Sequence, residues 1–489
     1  MKASRVALVV VALLAGAFQA DRPVLAGHEE LVSSKTADLV VSPDGPYTTI
    51  QAALQAAREG DVIRVQPGIY AGPLLVDKSV TLEGEGDPVI DGGGEGTVVT
   101  LAAPGITFGG FTVRGSGVEP DRDHAGISVI APGITVADNR LVDVLFGIFV
   151  AEADRAVLRG NDITSKPQYE QGRKGDAIRV WYSQDVTVQA NHVHEARDVV
   201  IWYSRNVILR NNRIENGRYG VHLMYCDGAQ IQGNQVMNNS VGAYVMYSND
   251  VNLQENDIRG QHGSSGYGLG FKDADNVRVY QNLLVDNHAG IFLDGTPYTP
   301  QGFAHITENV FAYNNIAVSL MPAVQRAEFT QNTFWENSEQ MAIQGGGQGQ
   351  NTWSGNYWSD YAGFDGDGDG IGDIPYHAER FFENLTDREP LLRMLIYSPA
   401  VQAVEMAAAA FPIFQPQPKL SDATPSMRAA ILPTEAAGEG TNRTQLIVVA
   451  AAILAAGLGL GLVGLGLPRN PKPHPQSKLT IEGSPWKAK

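Results

Sequence analysis

Cysteine is almost absent from this chain. Cys226 stands alone among 489 residues, so disulfides do not hold the fold together. The absence of any Cys-x-x-Cys argues against a structural zinc site. Cationic residues are scarce as well, with 36 Lys and Arg against 53 Asp and Glu. That acidic balance argues against a nucleic-acid partner and suits a solvated protein outside the cytoplasm. Glycine, by contrast, is abundant at 54 residues. Together with many asparagines it marks a chain rich in tight turns.

Asparagine recurs about every 22 residues: Asn139 and Asn161, then Asn191, Asn212, Asn234 and Asn256, then Asn282, Asn309, Asn332 and Asn356. Short β-rich units at this period define a solenoid, in which each coil buries its apolar side only by stacking on its neighbours. One asparagine per coil predicts a ladder of stacked, hydrogen-bonded amides. The fold class is therefore all-β, a parallel β-helix over residues 40–390. Before it, Thr48–Arg58 has helical apolar spacing at Ile50, Ala53, Leu54 and Ala57. This short helix is expected to cover the open end of the stack.

The two ends carry the apolar runs. Lys2 and Arg5 precede Val6–Phe18, with small residues for cleavage near Ala26, so residues 1–26 read as a secretory signal. Leu446–Leu467 has 22 residues without a charge, about 33 Å as a helix. Arg469, Lys472, Lys478, Lys487 and Lys489 follow it, which places residues 469–489 in the cytoplasm and the solenoid outside. Residues 444–468 are thus read as a single transmembrane helix tethering a periplasmic or extracytoplasmic domain.

Four central coils align by hand, with Tyr182, Tyr203, Tyr225 and Tyr247 in register. Strict alternation puts Val180, Ile201, Leu223 and Val245 on the same side as those tyrosines, which makes that side the interior. The outward rows then read Trp181, Trp202, Met224, Met246, Lys272; Arg179, Val200, His222, Tyr244; and Ser183, Ser204, Cys226, Ser248. Two thioethers, an imidazole and a thiol would converge on one exposed face. Such donors select Cu(I), and a methionine-rich site releases its ion readily. His222, Met224, Met246 and Cys226 are therefore the candidate copper ligands, bound transiently. The other reading of such a row is a packing surface covered by a loop or partner. His192 and His194, with Met237 in register, could extend a path for the ion.

An outward aromatic row also fits a polysaccharide-binding protein, or a lyase or epimerase. That chemistry needs carboxylates and a proton acceptor on one face. Asp176, Arg179, Lys272 and Asp273 are spread over several coils, and nothing else suggests a catalytic dyad. A non-enzymatic role is the expectation.

After the last coil, Asp365, Asp367, Asp369, the Ile371 carbonyl and Asp373 match the first five ligand positions of a calcium loop. The twelfth-position Glu is replaced by Tyr376. The loop is read either as a Ca²⁺ site or as a turn held by Asp side chains. Residues 391–443 then change character: a helix over Pro399–Phe411, followed by a proline-rich segment whose Phe411, Ile413 and Phe414 suggest docking on a partner.

PYTTIQAALQAAREGDVIRVQPGIYAGPLLVDKSVTLEGEG (46–86), the Asn-marked coils, GNYWSDYAGFDGDGDGIGDIPY (355–376) and LLRMLIYSPAVQAVEMAAAAFP (391–412) occur in this order. In this the chain resembles the NosD family of CASH-type β-helix proteins, periplasmic copper-binding accessory proteins of nitrous oxide reductase maturation. The resemblance implies a right-handed parallel β-helix, and partnership with an ABC transporter membrane subunit and ATPase. It also implies transfer of copper, from a copper donor protein, toward the copper–sulfur centre of nitrous oxide reductase. It assigns no ligands to this sequence.

Overall fold

The computed structural model describes residues 37–263, 265–411 and 418–429. The expected signal (1–26), the membrane span (444–468) and the tail (469–489) lie outside the described residues. Among the described residues no helix is long and apolar enough to cross a membrane.

Strands of two to six residues wind into three parallel sheets of 14, 13 and 12 strands. Each coil contributes a strand to the first, then the second, then the third sheet. One central coil, for example, gives Thr187–Gln189, His192–His194 and Asp198–Trp202 in that order. Valine, isoleucine and leucine alternate into one continuous core; Val188, Val193 and Ile201 are all buried. The expected β-helix is what the chain forms.

Buried amides tie the coils together. The Asn212 backbone N–H and Nδ2 both donate to Asn234 Oδ1 at 2.9 Å, and Nδ2 also donates to the Val188 carbonyl. The same bond repeats from Asn139 to Asn332. Its final acceptor comes from a distant part of the chain. Asn356 N and Nδ2 donate to Asp422 Oδ2 at 3.0 and 2.9 Å. A second ladder, not anticipated from the period, runs through Asn239, Gln261, Asn287, Asn314 and Asn337 at the corner between the second and third sheets.

Both ends are covered. The helix Ile50–Ala56 is N-capped by Thr49 and buries Ile50, Ala53 and Leu54, while Lys78 Nζ takes up the carbonyls of Leu54, Gln55 and Ala57. At the other end Tyr376–Ala378 pairs antiparallel with Leu420–Asp422. The helices Phe381–Arg388 and Pro399–Ala410 stand beside the last coils, the second matching its expected proline start and capped by Ser398. Within 391–443, residues 418–422 return to the solenoid end. Lys419 is fully buried there and bonds Glu339 and Asp387, each at 2.8 Å. Replacing Lys419 would leave those two buried carboxylates with Arg393 as their shared counter-charge.

The expected interior of the third sheet needs correction. Val180, Ile201, Leu223 and Val245 face inward, but Tyr182, Tyr203, Tyr225 and Tyr247 do not: they are 36–52% exposed. Each has a left-handed backbone (φ 45° to 56°), so strand alternation stops at the residue before it. The tyrosine points out, and the next residue turns in. Ser183, Ser204, Cys226 and Ser248, expected outside, are buried. The tyrosine rings stack at 4.8, 5.0 and 5.1 Å along an outer corner.

Two outcomes test this account. Asn234→Ala strands the Asn212 amide, and each polar group so orphaned costs roughly 1–3 kcal/mol; thermal unfolding followed by circular dichroism should show a clear drop in Tm. The second concerns Glu383, whose carboxyl is pushed up to about 8 by burial and then by the nearby Glu339. Between pH 4.5 and about 8 the unfolded chain has released a proton that the folded chain keeps, so this group's stabilisation declines as pH rises. Denaturant midpoints of Glu383→Gln should fall less than wild type between those pH values.

Candidate functional site

The outer face of the third sheet carries the soft donors. Val200, His222, Tyr244 and Gly270 are paired in register, as are Trp202, Met224, Met246 and Lys272. His222 and Met224 are two apart on the strand Tyr219–Met224, and Met246 lies on the neighbouring coil opposite Met224. Coils stack about 4.8 Å apart, and same-face neighbours on a strand lie about 6.6 Å apart. The two thioethers and the imidazole therefore share one patch, as expected, and all three are half-buried.

The surroundings of His222 are unusual. Its ring lies 5.0 Å from Tyr219 and edge-on at 5.8 Å to Trp202. Both ring nitrogens are buried and neither has a hydrogen-bond partner. Burial, as the largest cause, depresses the pKa of His222. The ring is therefore neutral at physiological pH, and one nitrogen holds an unused lone pair. Leaving such a group unmet costs free energy. Gly270 makes room for Tyr244, the residue in register with His222: a Cβ there would sit 2.1 Å from Tyr244 Cδ2, so only glycine lets the Tyr244 ring lie flat across the next coil.

Cys226 does not belong to this patch. Its thiol lies inside the bore, donates to the Ile201 carbonyl at 3.1 Å, and occupies the rung that serine fills on adjacent coils. The left-handed turn at Tyr225 carries it inward. Burial pushes the thiol up to about 11, so no thiolate is offered at neutral pH.

The charged residues near the patch partner one another. Arg179 bridges Asp176 at 2.7 Å and Asp123 at 2.8 Å, and Arg197 reaches the other oxygen of Asp176 at 2.7 Å. Lys272 pairs with Asp294 at 2.7 Å. Of the four residues expected as lyase candidates, Asp176, Arg179 and Lys272 are held in ion pairs, and Asp273 stands at the left-handed corner that follows Lys272.

His192 and His194 sit on the outer face of the second sheet, around a corner from Met224, so they do not continue the soft patch. The expected register of His194 with Met237 holds, through Glu215. Glu215 lies in that same register, whereas Asp162, which also joins them, was hidden from the period by the 30-residue step from Asn161 to Asn191. Asp162 follows Asn161 as His192 follows Asn191, and that shared offset is the signal that would have found the pair.

In the acidic loop, Asp365, Asp367 and Asp369 bring one oxygen each within 4.8 Å of one another. Their carboxylates are engaged with the loop's own amides: Asp365 accepts from Gly368 and Gly370, Asp369 from Ile371, and Asp373 from Gly366. These backbone bonds hold Asp365 below the usual carboxylate range.

Fold and patch together define a parallel β-helix that presents thioether and imidazole donors on an outer sheet. Residues 160–363 match the family model described as "Periplasmic copper-binding protein (NosD)". A "Probable ABC transporter binding protein NosD" from Pseudomonas aeruginosa is 31% identical over 378 residues, covering 74% of this chain and 87% of that protein. Its namesake from Stutzerimonas stutzeri is 28% identical over 389 residues, covering 76% and 87%. The chain belongs to the NosD family. Among solved structures it resembles the Azotobacter vinelandii mannuronan C-5 epimerase AlgE4 and AlgE6 A-modules. AlgE4 gives a TM-score of 0.51 at 16% identity over 63% of this chain and 94% of that one; AlgE6 gives 0.50 at 18% over 63% and 92%. At these identities the likeness is one of fold alone.

The placement of Cys226 is directly checkable. At about pH 7.5 a thiol reagent should leave the native chain unlabelled and modify one thiol per chain once guanidinium unfolds it; prompt labelling of native protein would put the sulfur outside the bore.

Proposed function

We propose that this chain is a non-enzymatic copper-handling accessory protein that carries Cu(I) transiently on His222, Met224 and Met246. The observation that carries this reading is the buried, neutral His222 ring, with both nitrogens unpartnered, beside two thioethers in register. Soft sulfur and imidazole suit Cu(I) over harder ions. Two weak thioether donors and one imidazole favour passing the ion on over storing it. The Trp202 and Tyr219 rings keep water from one side of the patch.

In this reading the chain works in the periplasm with an ABC transporter membrane subunit and ATPase. It receives copper from a donor protein and serves assembly of the copper–sulfur centre of nitrous oxide reductase. The description of the family and the names of the relatives support it. So does the segment Pro390–Phe411, where Leu391, Met394, Tyr397, Met406 and Phe411 are exposed together. Apolar side chains in such density on a surface mark a contact with another protein. The apolar stretch 446–467 would tether the domain beside that transporter. The oxygen-only loop at Asp365 would select Ca²⁺ if it takes an ion, and has no part in copper transfer.

Competition with a chromophoric Cu(I) chelator under reducing conditions tests the assignment. The wild-type chain should withdraw about one equivalent. His222→Ala with Met224→Ala should weaken binding at least tenfold, and Cys226→Ser should leave it unchanged. A double variant that titrates like wild type removes the site.

A further inference from the structure

We infer a second metal site, distinct from the sulfur patch, in which Asp162, His192 and His194 hold a divalent cation of the zinc class on the outer face of the second sheet. His192 and His194 lie two apart on the strand His192–His194, so both rings project from one face, stacked at 4.3 Å and nearly parallel. Asp162 is paired with His192 on the preceding coil. One donor atom from each of the three lies within 4.8 Å of the others. His192 Nδ1 stands 3.0 Å from Asp162 Oδ2, and His194 Nε2 stands 3.4 Å from Asp162 Oδ1. Tetrahedral zinc with bonds of 2.0–2.1 Å separates its ligands by about 3.3 Å, so the donors already stand close to coordination spacing.

The second observation is the other nitrogen of His192. Nε2 lies 2.9 Å from Glu215 Oε1. Glu215 is itself fixed by Arg213, at 3.0 and 2.9 Å. With Nε2 held against Glu215, Nδ1 is the ring nitrogen that faces Asp162. A cation bound between Nδ1 and Asp162 would be held by the ring on one side and the carboxylate on the other, with Glu215 fixing the ring from behind. Carboxylate, imidazole, then metal is the arrangement by which proteins orient histidine ligands. Glu215 is thus a positioning residue and not a ligand.

Two imidazoles and a carboxylate without sulfur form a harder set than His222 with two methionines. They suit Zn²⁺ or Cu²⁺ over Cu(I). Three protein ligands leave a fourth position open to water or to a group from a partner. The site joins the coil of Asp162 to the next. Between them the chain makes the long excursion 164–175, which Gln171 fastens to the Ala196 carbonyl.

Cobalt(II) provides the probe, since a tetrahedral site gives it strong visible d–d bands that Zn²⁺ bleaches by displacement. The full-length chain should bind one Co²⁺ with those bands. His192→Ala with His194→Ala should abolish them. Glu215→Gln should weaken Zn²⁺ about tenfold or more. Met224→Ala with Met246→Ala should bind as wild type, so failure of the Cu(I) reading leaves this result intact. These side chains stand on the outer face, and circular dichroism would confirm that the variants keep the solenoid. Absence of the bands in wild type, or their persistence in the double histidine variant, would overturn the inference.

Discussion

A left-handed residue closes the strands of the third sheet through the centre of the solenoid: Glu152, Tyr182, Tyr203, Tyr225, Tyr247, Asp273 and Gly295 all have positive φ. This single backbone constraint sets the phase of everything around it. The strand ends with an outward side chain, the left-handed residue points outward too, and the following residue enters the bore. Seven such residues (Ala153, Ser183, Ser204, Cys226, Ser248, Ala274 and Thr296) are buried in consequence. Non-glycine residues resist this conformation. It persists because the inner rungs bond from coil to coil and the tyrosines stack outside.

The same constraint separates two kinds of sulfur. Met224 and Met246, before the turn, stand on the outer face; Cys226, after it, is locked in the core. A bound ion at the patch would therefore meet thioethers and an imidazole but no thiolate. Thiolate would hold copper tightly, whereas thioether and imidazole let it go. On the proposed reading this geometry would favour weak, exchangeable binding, in keeping with a carrier. Lateral rigidity comes from the amide ladders, so donors on adjacent coils keep their spacing without a disulfide.

Much of this was legible in the sequence, and the failures have a physical cause. The Asn ladder could be read because one buried amide per coil must recur at the coil's own period. The helix at Ile50 and the one at Pro399 could be read from apolar spacing, caps and a leading proline. Strict alternation placed Val180, Ile201, Leu223 and Val245 correctly, and with them His222, Met224 and Met246. It failed one residue later, at Tyr182 and its equivalents, because tyrosine is not a residue whose presence announces a left-handed turn. Asp162 stayed hidden behind a lengthened coil. Asp422 was beyond reach for a different reason: it completes the ladder 66 residues after Asn356, and no local pattern encodes that closure.

X-ray absorption at the copper edge of selenomethionine-labelled protein loaded with one Cu(I) addresses the central claim most directly. Selenium scatters far more strongly than sulfur or nitrogen, so thioether ligands would be identified as such. The account predicts two selenium neighbours and one imidazole around copper. A shell of nitrogen and oxygen alone, or one of light sulfur from Cys226, would contradict it.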